Sequence, residues 1–221
     1  MFEFAEMSGW QWGGWLLWAA VLYRTYPPEF FAKLRRETGY QHLAFSSAVV
    51  LFALWALQAG IKEGLDIHFL GVTTLALCHG WRIAIWIATV PLALMAVFGF
   101  VPVADVGMTA LTTAVLPITF SYGIFALSYH YLTRHLFIYI FIAAFIGAAL
   151  TIVFQLSVTS LWYWLADRHS WQDIVHNYLQ IALLMWFPEA LLNGMAVTVM
   201  AVYRPHWLRT FYDREYLSPE R

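Results

Sequence analysis

The segment "GLDIHFLGVTTLALCHGW", residues 64–81, places an aspartate, two histidines and the only cysteine inside a strongly apolar stretch. Carboxylate, imidazole and thiolate are the side chains that ligate divalent transition metals. Asp66 and His68 stand at one end of the segment, Cys78 and His79 at the other. On a regular helix Asp66 and His68 point about 200° apart, and His68 and His79 are separated by about 16 Å along the axis. All four cannot share one ion on an unbroken helix. Asp66 and His68 can share one only where the backbone unwinds, which the preceding Gly64 permits. The plainer readings are that Asp66 caps a helix N-terminus and that His68 hydrogen-bonds a neighbour. Cys78 and His79 read either as a second stop on an inner-side pathway or as a packed thiol and the end of a helix at Gly80.

The elements that carry these groups follow from composition. Of 221 residues, 62% are hydrophobic and only 11% are charged, against about 25% charged in an ordinary soluble domain. Twelve Trp and twelve Tyr fit a protein with two membrane–water interfaces. The expected fold is an all-α integral membrane protein, one polytopic domain over residues 1–221. Its seven transmembrane helices are expected near 9–24, 43–61, 64–80, 82–103, 107–128, 134–157 and 176–203. With the N-terminus outside and the C-terminus inside, Arg24, Lys33, Arg35, Arg36, Arg82, Arg134, Arg204, Arg209, Arg214 and Arg221 collect on the inner side. Only Lys62 and Arg168 then remain outside, and such an asymmetry sets orientation. Glu3, Glu6, Glu63, Asp66, Asp105, Asp167 and Asp173 fall outside as well. The multi-pass chain is expected in the cell's inner (cytoplasmic) membrane. Acids stand in "MFEFAEMSGWQWGG" where a cleavable signal peptide carries positive charge, so none is expected. The net charge of −1 and the lack of a basic run give no reason to expect nucleic acid as a partner.

On this topology Asp66 and His68 lie near the outer end of the third helix, and Glu189 of "FPEALLNGMAV" lies near the midplane. Asn193 is one turn further along the same face. An intramembrane carboxyl is functional by default; the alternative is a structural hydrogen bond that organises the core, with Gly194 allowing close helix approach. Thr109, Thr112, Thr113, Thr119 and Ser121 read as hydroxyls that bond their own helix or a neighbour. Pro91 and Pro117 are expected to kink their helices. No phosphate loop, H-E-x-x-H or G-x-S-x-G motif is present, so neither ATP hydrolysis nor a protease or lipase centre is expected in this chain.

The stretches "GLDIHFLGVTTLALCHGWRIAIW", "GMTALTTAVLPITFSYGIF" and "FPEALLNGMAVTVMAVYRPHWL" resemble, in order, segments of CbiM-like permeases of energy-coupling-factor transporters. The resemblance covers roughly residues 40–210 and is closest to an uncharacterised branch. It implies a seven-helix component that captures a divalent transition metal, served by a separate transmembrane coupling subunit and a cytoplasmic ATPase. His68 matches the metal-ligating histidine of the family's His-Leu-Leu-Gly segment. The family's cobalt and nickel carriers complete their site with an N-terminal Met-His-Ile, whereas this sequence has Phe2, and Asp66 replaces a small residue. Two readings stand beside metal uptake. One is a non-transporting membrane assembly or interaction subunit. The other is a haem-binding redox protein using two of His42, His79, His130 and His135.

Overall fold

The computed structural model describes residues 7–60, 65–212 and 216, and the backbone alone of 182 and 183. Phe2, Glu3, Glu6, Lys62, Glu63, Gly64, Arg214 and Arg221, used above for charge and resemblance, lie outside the described residues. Helix α1 spans Gly9–Thr25. Ser8 opens it with a capping box: the Gln11 N–H donates to Ser8 Oγ at 3.4 Å and the Ser8 N–H donates to Gln11 Oε1 at 2.8 Å. Helix α2, Pro28–Arg36, begins on a proline, has Glu29 in its first turn and has Lys33, Arg35 and Arg36 in its last. Proline lacks only a donor that is free there anyway, and the charges oppose the helix dipole at both ends.

Helix α3, Thr38–Ala56, leads into strand β1, Ala59–Gly60, which pairs antiparallel with β2, Asp66–Ile67. Then come α4, Val72–His79, and α5, Trp81–Val97. Helices α6, Val103–Tyr131, and α7, Leu136–Leu165, follow. Trp171–Ile174, Val175–Leu179 and Gln180–Tyr203 run on without a break as α8. The stretch Ala110–Val115 in α6 is wound as a π-helix. It ends just before Pro117, whose ring displaces the carbonyl four residues back, and the wider turn accommodates that displacement.

Among the described residues, four helices, Thr38–Ala56, Val103–Tyr131, Leu136–Leu165 and Leu184–Tyr203, are long and apolar enough to cross a bilayer. Large apolar side chains point outward, Val97 at 78% and Leu184 at 75% exposure among them. Such a surface is stable against lipid and not against water. The chain is a mostly helical, multi-pass membrane protein.

The helix expected over 64–80 is not formed. Residues 65–71 are extended or irregular, and α4 has eight residues, or about 12 Å of helix. Gly71 has φ +65° and Gly80 φ +76°. Both lie where side chains clash with the backbone and glycine does not, so the helix cannot propagate through either end. The broken segment runs antiparallel to α3. Trp55, near the end of α3, donates from Nε1 to the Leu70 carbonyl at 3.1 Å, and Tyr40, near its start, meets His79 at 3.2 Å. All of α4 except Thr74 is buried, among α5, α6, α7 and α8. A helix apolar on every face belongs in the core.

Helices α1 and α6 meet through glycine. A Cβ on Gly107 would stand 2.6 Å from the Gly14 carbonyl carbon and 2.7 Å from Trp15 Cα. The two backbones touch, as small residues allow in membrane packing. This contact brings the first turn of α1 beside Asp105 at the start of α6.

Candidate functional site

In an extended chain, residues two apart face the same side. Asp66 and His68, which a helix would have turned away from each other, therefore both line one cavity of about 220 Å³. Its other walls include Trp55 from α3, Asp105 and Thr112 from α6, Gln155 and Tyr163 from α7, Arg168, and Tyr178 from α8. His68 is half-buried, and its Nδ1 lies 3.1 Å from the carbonyl of Phe69. A carbonyl only accepts, so that nitrogen carries the proton and Nε2 keeps its lone pair. A backbone acceptor of this kind fixes the tautomer and ring orientation of metal-binding histidines. The His68 ring lies against Trp55, centroids 5.9 Å apart, which limits its swing.

The loop that carries this pair is held from α8. Glu189 accepts from the Leu70 N–H at 2.9 Å through Oε2 and from the Gly71 N–H at 2.8 Å through Oε1. Asn193, one turn along, donates to Glu189 Oε1 at 2.8 Å and accepts through Oδ1 from the N–H and hydroxyl of Thr74 at 2.9 and 2.8 Å. The Gly71 and Thr74 N–H groups are among those that the start of α4 leaves without intrahelical partners, and the Leu70 N–H belongs to the non-helical stretch just before it. Unpaired in hydrocarbon, each would cost several kcal/mol, roughly. Asp66 is not the cap: Gly71 occupies that position and no local side chain bonds the first turn. Glu189 and Asn193 are almost wholly buried and act from 118–119 residues away. The sequence placed them on one face; nothing in it named their partners.

The other end of α4 is capped too. The N–H groups of Arg209 and Thr210 donate to the carbonyls of Cys78 and Leu77 at 3.1 and 3.3 Å. The Thr210 hydroxyl adds a bond to the Leu77 carbonyl at 2.9 Å. Cys78 Sγ lies 3.6 Å from Met200 Sδ. His79 Nδ1 meets the Tyr40 hydroxyl at 3.2 Å and Nε2 meets Ser47 Oγ at 3.1 Å. Both ring nitrogens of His79 are thus engaged by hydroxyls, and the structure sets Cys78 and His79 apart from the cavity that Asp66 and His68 line. Of the other histidines considered for haem, His135 accepts through Nδ1 from the Phe137 N–H at 3.1 Å.

Sequence reasoning passed over the ion pair of the cavity wall. Arg168, in the loop after α7, donates through Nη1 to Asp105 Oδ2 at 2.9 Å and through Nη2 to Asp105 Oδ1 at 2.5 Å. Gln11 of α1 donates to Asp105 Oδ1 at 2.9 Å. The Asp105 carboxylate beside it raises the pKa of the Arg168 guanidinium above its ordinary value. One side chain thereby ties the starts of α1 and α6 to the 166–170 loop. Gln155 and Thr159, bonded at 3.1 Å, complete the polar wall; their i, i+4 spacing was the one visible signal. Among the described residues, no group of three or more His, Cys, Asp or Glu side chains is placed to hold a metal ion.

The fold thus holds a broken segment capped at both ends inside a multi-pass helical membrane protein, with a cavity where that segment is unwound. The chain belongs to the CbiM family, described as the cobalt uptake substrate-specific transmembrane region, which matches residues 7–207. It is also similar in fold to a solved structure described as a transition metal transporter. That likeness has 18% identity, covers 89% of this chain and 91% of the other, and has a TM-score of 0.70. A second, described as a truncated transition metal transporter, has 18% identity, covers 84% and 94%, and has a TM-score of 0.63. No curated protein matches.

Proposed function

We propose that this chain is the membrane permease that captures a divalent transition metal for uptake, as one polytopic domain in the cytoplasmic membrane. Family membership supports the class, and the observation that carries the site is the placement of Asp66 and His68 on one wall of a single polar cavity. His68 supplies Nε2 and Asp66 a carboxylate oxygen. Water fills the rest of the ion's shell. A cavity of about 220 Å³ has room for that, since a water's share of liquid volume is about 30 Å³. Glu189 and Asn193 act as positioning residues through the loop. The chain works with a coupling subunit and an ATPase, and performs no reaction itself.

The topology that serves this reading has seven crossings, N-terminus outside and C-terminus inside: α1, α3, the broken segment 65–79, and α5 to α8. Seven non-helical residues at up to about 3.3 Å each and the eight of α4 at about 1.5 Å reach up to roughly 35 Å. That is enough for a hydrocarbon core of about 30 Å, and the Lys/Arg asymmetry supports the orientation. The test is calorimetric titration of chelator-treated full-length protein with Co²⁺, Ni²⁺, Zn²⁺ and Mn²⁺. Loss of an outer-shell partner alone costs about 10–100-fold in metal affinity, so His68→Ala is expected to weaken binding by at least about tenfold. Unchanged affinity in His68→Ala ends the assignment of the site.

A further inference from the structure

Two further cavities lie along α4, apart from the one that Asp66 and His68 line. The first is an apolar groove of about 560 Å³ between α3 and α8, with α4 as its floor. Along α3 it runs from Leu43 to Leu54, about 16 Å of helix. One leaflet of a bilayer has a hydrocarbon depth of about 15 Å. Two turns of helix about 10 Å across fill roughly 850 Å³, so the groove is narrow for a partner helix and of the right length for an acyl chain. Its rims are Val50 at 57% and Met195 at 58% exposure, and its wall includes the small Ser46 and Ala196.

Next to the Leu43 end of the groove lies a cavity of about 370 Å³ between α2 and the segment after α8. Leu43, Cys78 and Trp207 line both, so the two adjoin. This end carries the basic side chains of Lys33 and Arg209, with the His206 imidazole and the Glu29 carboxylate in the same lining. Lys33 Nζ stands 4.5 Å over the Tyr40 ring and 3.6 Å from Glu37, a pair about half exposed on both sides. Such a pair is weak and exchangeable. Arg209 makes one long bond, 3.4 Å, to the His79 carbonyl and keeps further donors. An apolar slot one leaflet deep that ends in a cationic chamber matches one ligand chemistry.

We propose that the groove and chamber together bind one anionic phospholipid, its acyl chain along α4 and its phosphate between Lys33 and Arg209. The site does not depend on the metal reading. It places a lipid against the helix whose two ends are held by α8 and by Arg209 and Thr210, so occupancy stiffens that helix.

The test uses full-length protein in mild detergent, delipidated and titrated with phosphatidylglycerol, phosphatidylcholine or inorganic phosphate, and read by native mass spectrometry and thermal unfolding. One phosphatidylglycerol per chain is expected. Each cation near a lipid surface contributes about fivefold, so Lys33→Gln is expected to weaken its binding about fivefold and the double variant with Arg209→Gln about 25-fold. Arg209→Gln keeps the backbone bond to Cys78. Ala196→Phe, which fills the groove, is expected to abolish retention while the unfolding midpoint without lipid stays within a few degrees. Equal binding of phosphatidylcholine, or indifference to Lys33→Gln and Ala196→Phe, overturns the proposal. An effect of phosphate as large as that of lipid makes it a phosphate site and overturns the acyl assignment. A photoreactive group at Met195 that captures a protein chain in native membranes, and no lipid, assigns the groove to a partner helix instead.

Discussion

Replacing Glu189 by alanine removes the acceptor from two buried N–H groups at once, those of Leu70 and Gly71. A buried donor left unsatisfied costs about 1–3 kcal/mol, so the two together place Glu189→Ala about 2–6 kcal/mol below wild type. Glu189→Gln keeps the volume and one acceptor oxygen but turns an amide donor toward the other N–H. Its expected cost is about half, roughly 1–3 kcal/mol. The ranking of the two variants is as informative as the size of either. Equilibrium unfolding, with sodium dodecyl sulfate titrated into protein held in dodecyl maltoside, measures both. Because the same loop carries His68, metal affinity measured on the folded fraction should fall in the same order. The reasoning fails if Glu189→Ala unfolds within about 0.5 kcal/mol of wild type, the range of an unremarkable surface change. It also fails if alanine and glutamine cost the same, since capping by two oxygens requires a difference.

Gly107→Ala drives a methyl group into the backbone of α1 and is expected to cost about 1–3 kcal/mol, as overpacking does; limited proteolysis should then cleave near the start of α1 first. The Asp105–Arg168 pair offers a comparison of unequal partners, with side chains 12% and 32% exposed respectively. Hydrogen bonds to charged groups contribute about 1.5–3 kcal/mol, less where solvent reaches, so Arg168→Gln, which strands the more buried Asp105, should destabilise more than Asp105→Asn. The opposite order in the same unfolding assay would contradict the placement of Asp105. Tyr40→Phe and Ser47→Ala each free one ring nitrogen of His79 and should lower stability by about 0.5–1.5 kcal/mol while leaving metal affinity at the proposed Asp66–His68 site unchanged by calorimetry.

Much of the architecture was legible because it rests on quantities that add along the chain. Apolar content and long uncharged runs determine a membrane fold wherever they occur, since every backbone polar group in hydrocarbon must be bonded internally. Residue types nominated Asp66, His68 and Glu189 for the same reason: ionisable groups inside apolar runs are costly. The error over 64–80 arose from the same additive logic. Its apolar run reads as helix, and nothing local announces that seven residues from Leu65 to Gly71 are not helical. Gly71 and Gly80 mark the break, but glycines elsewhere, such as Gly123 within α6, sit in unbroken helix.

Sequence alone thus determined the solvent this protein lives in, the family it belongs to and the residues worth suspecting. Only the tertiary structure decided that Asp66 and His68 face one cavity, and the reason is physical. An unwound stretch in a membrane exists only where another element satisfies its backbone. Here the acceptors are Glu189 and Asn193, 118–119 residues away, and Arg168 reaches Asp105 across 63 residues. Periodicity and propensity report the neighbours of a residue along the chain. The cap that allows the third segment to leave the helix, and so makes the cavity, is a neighbour only in space.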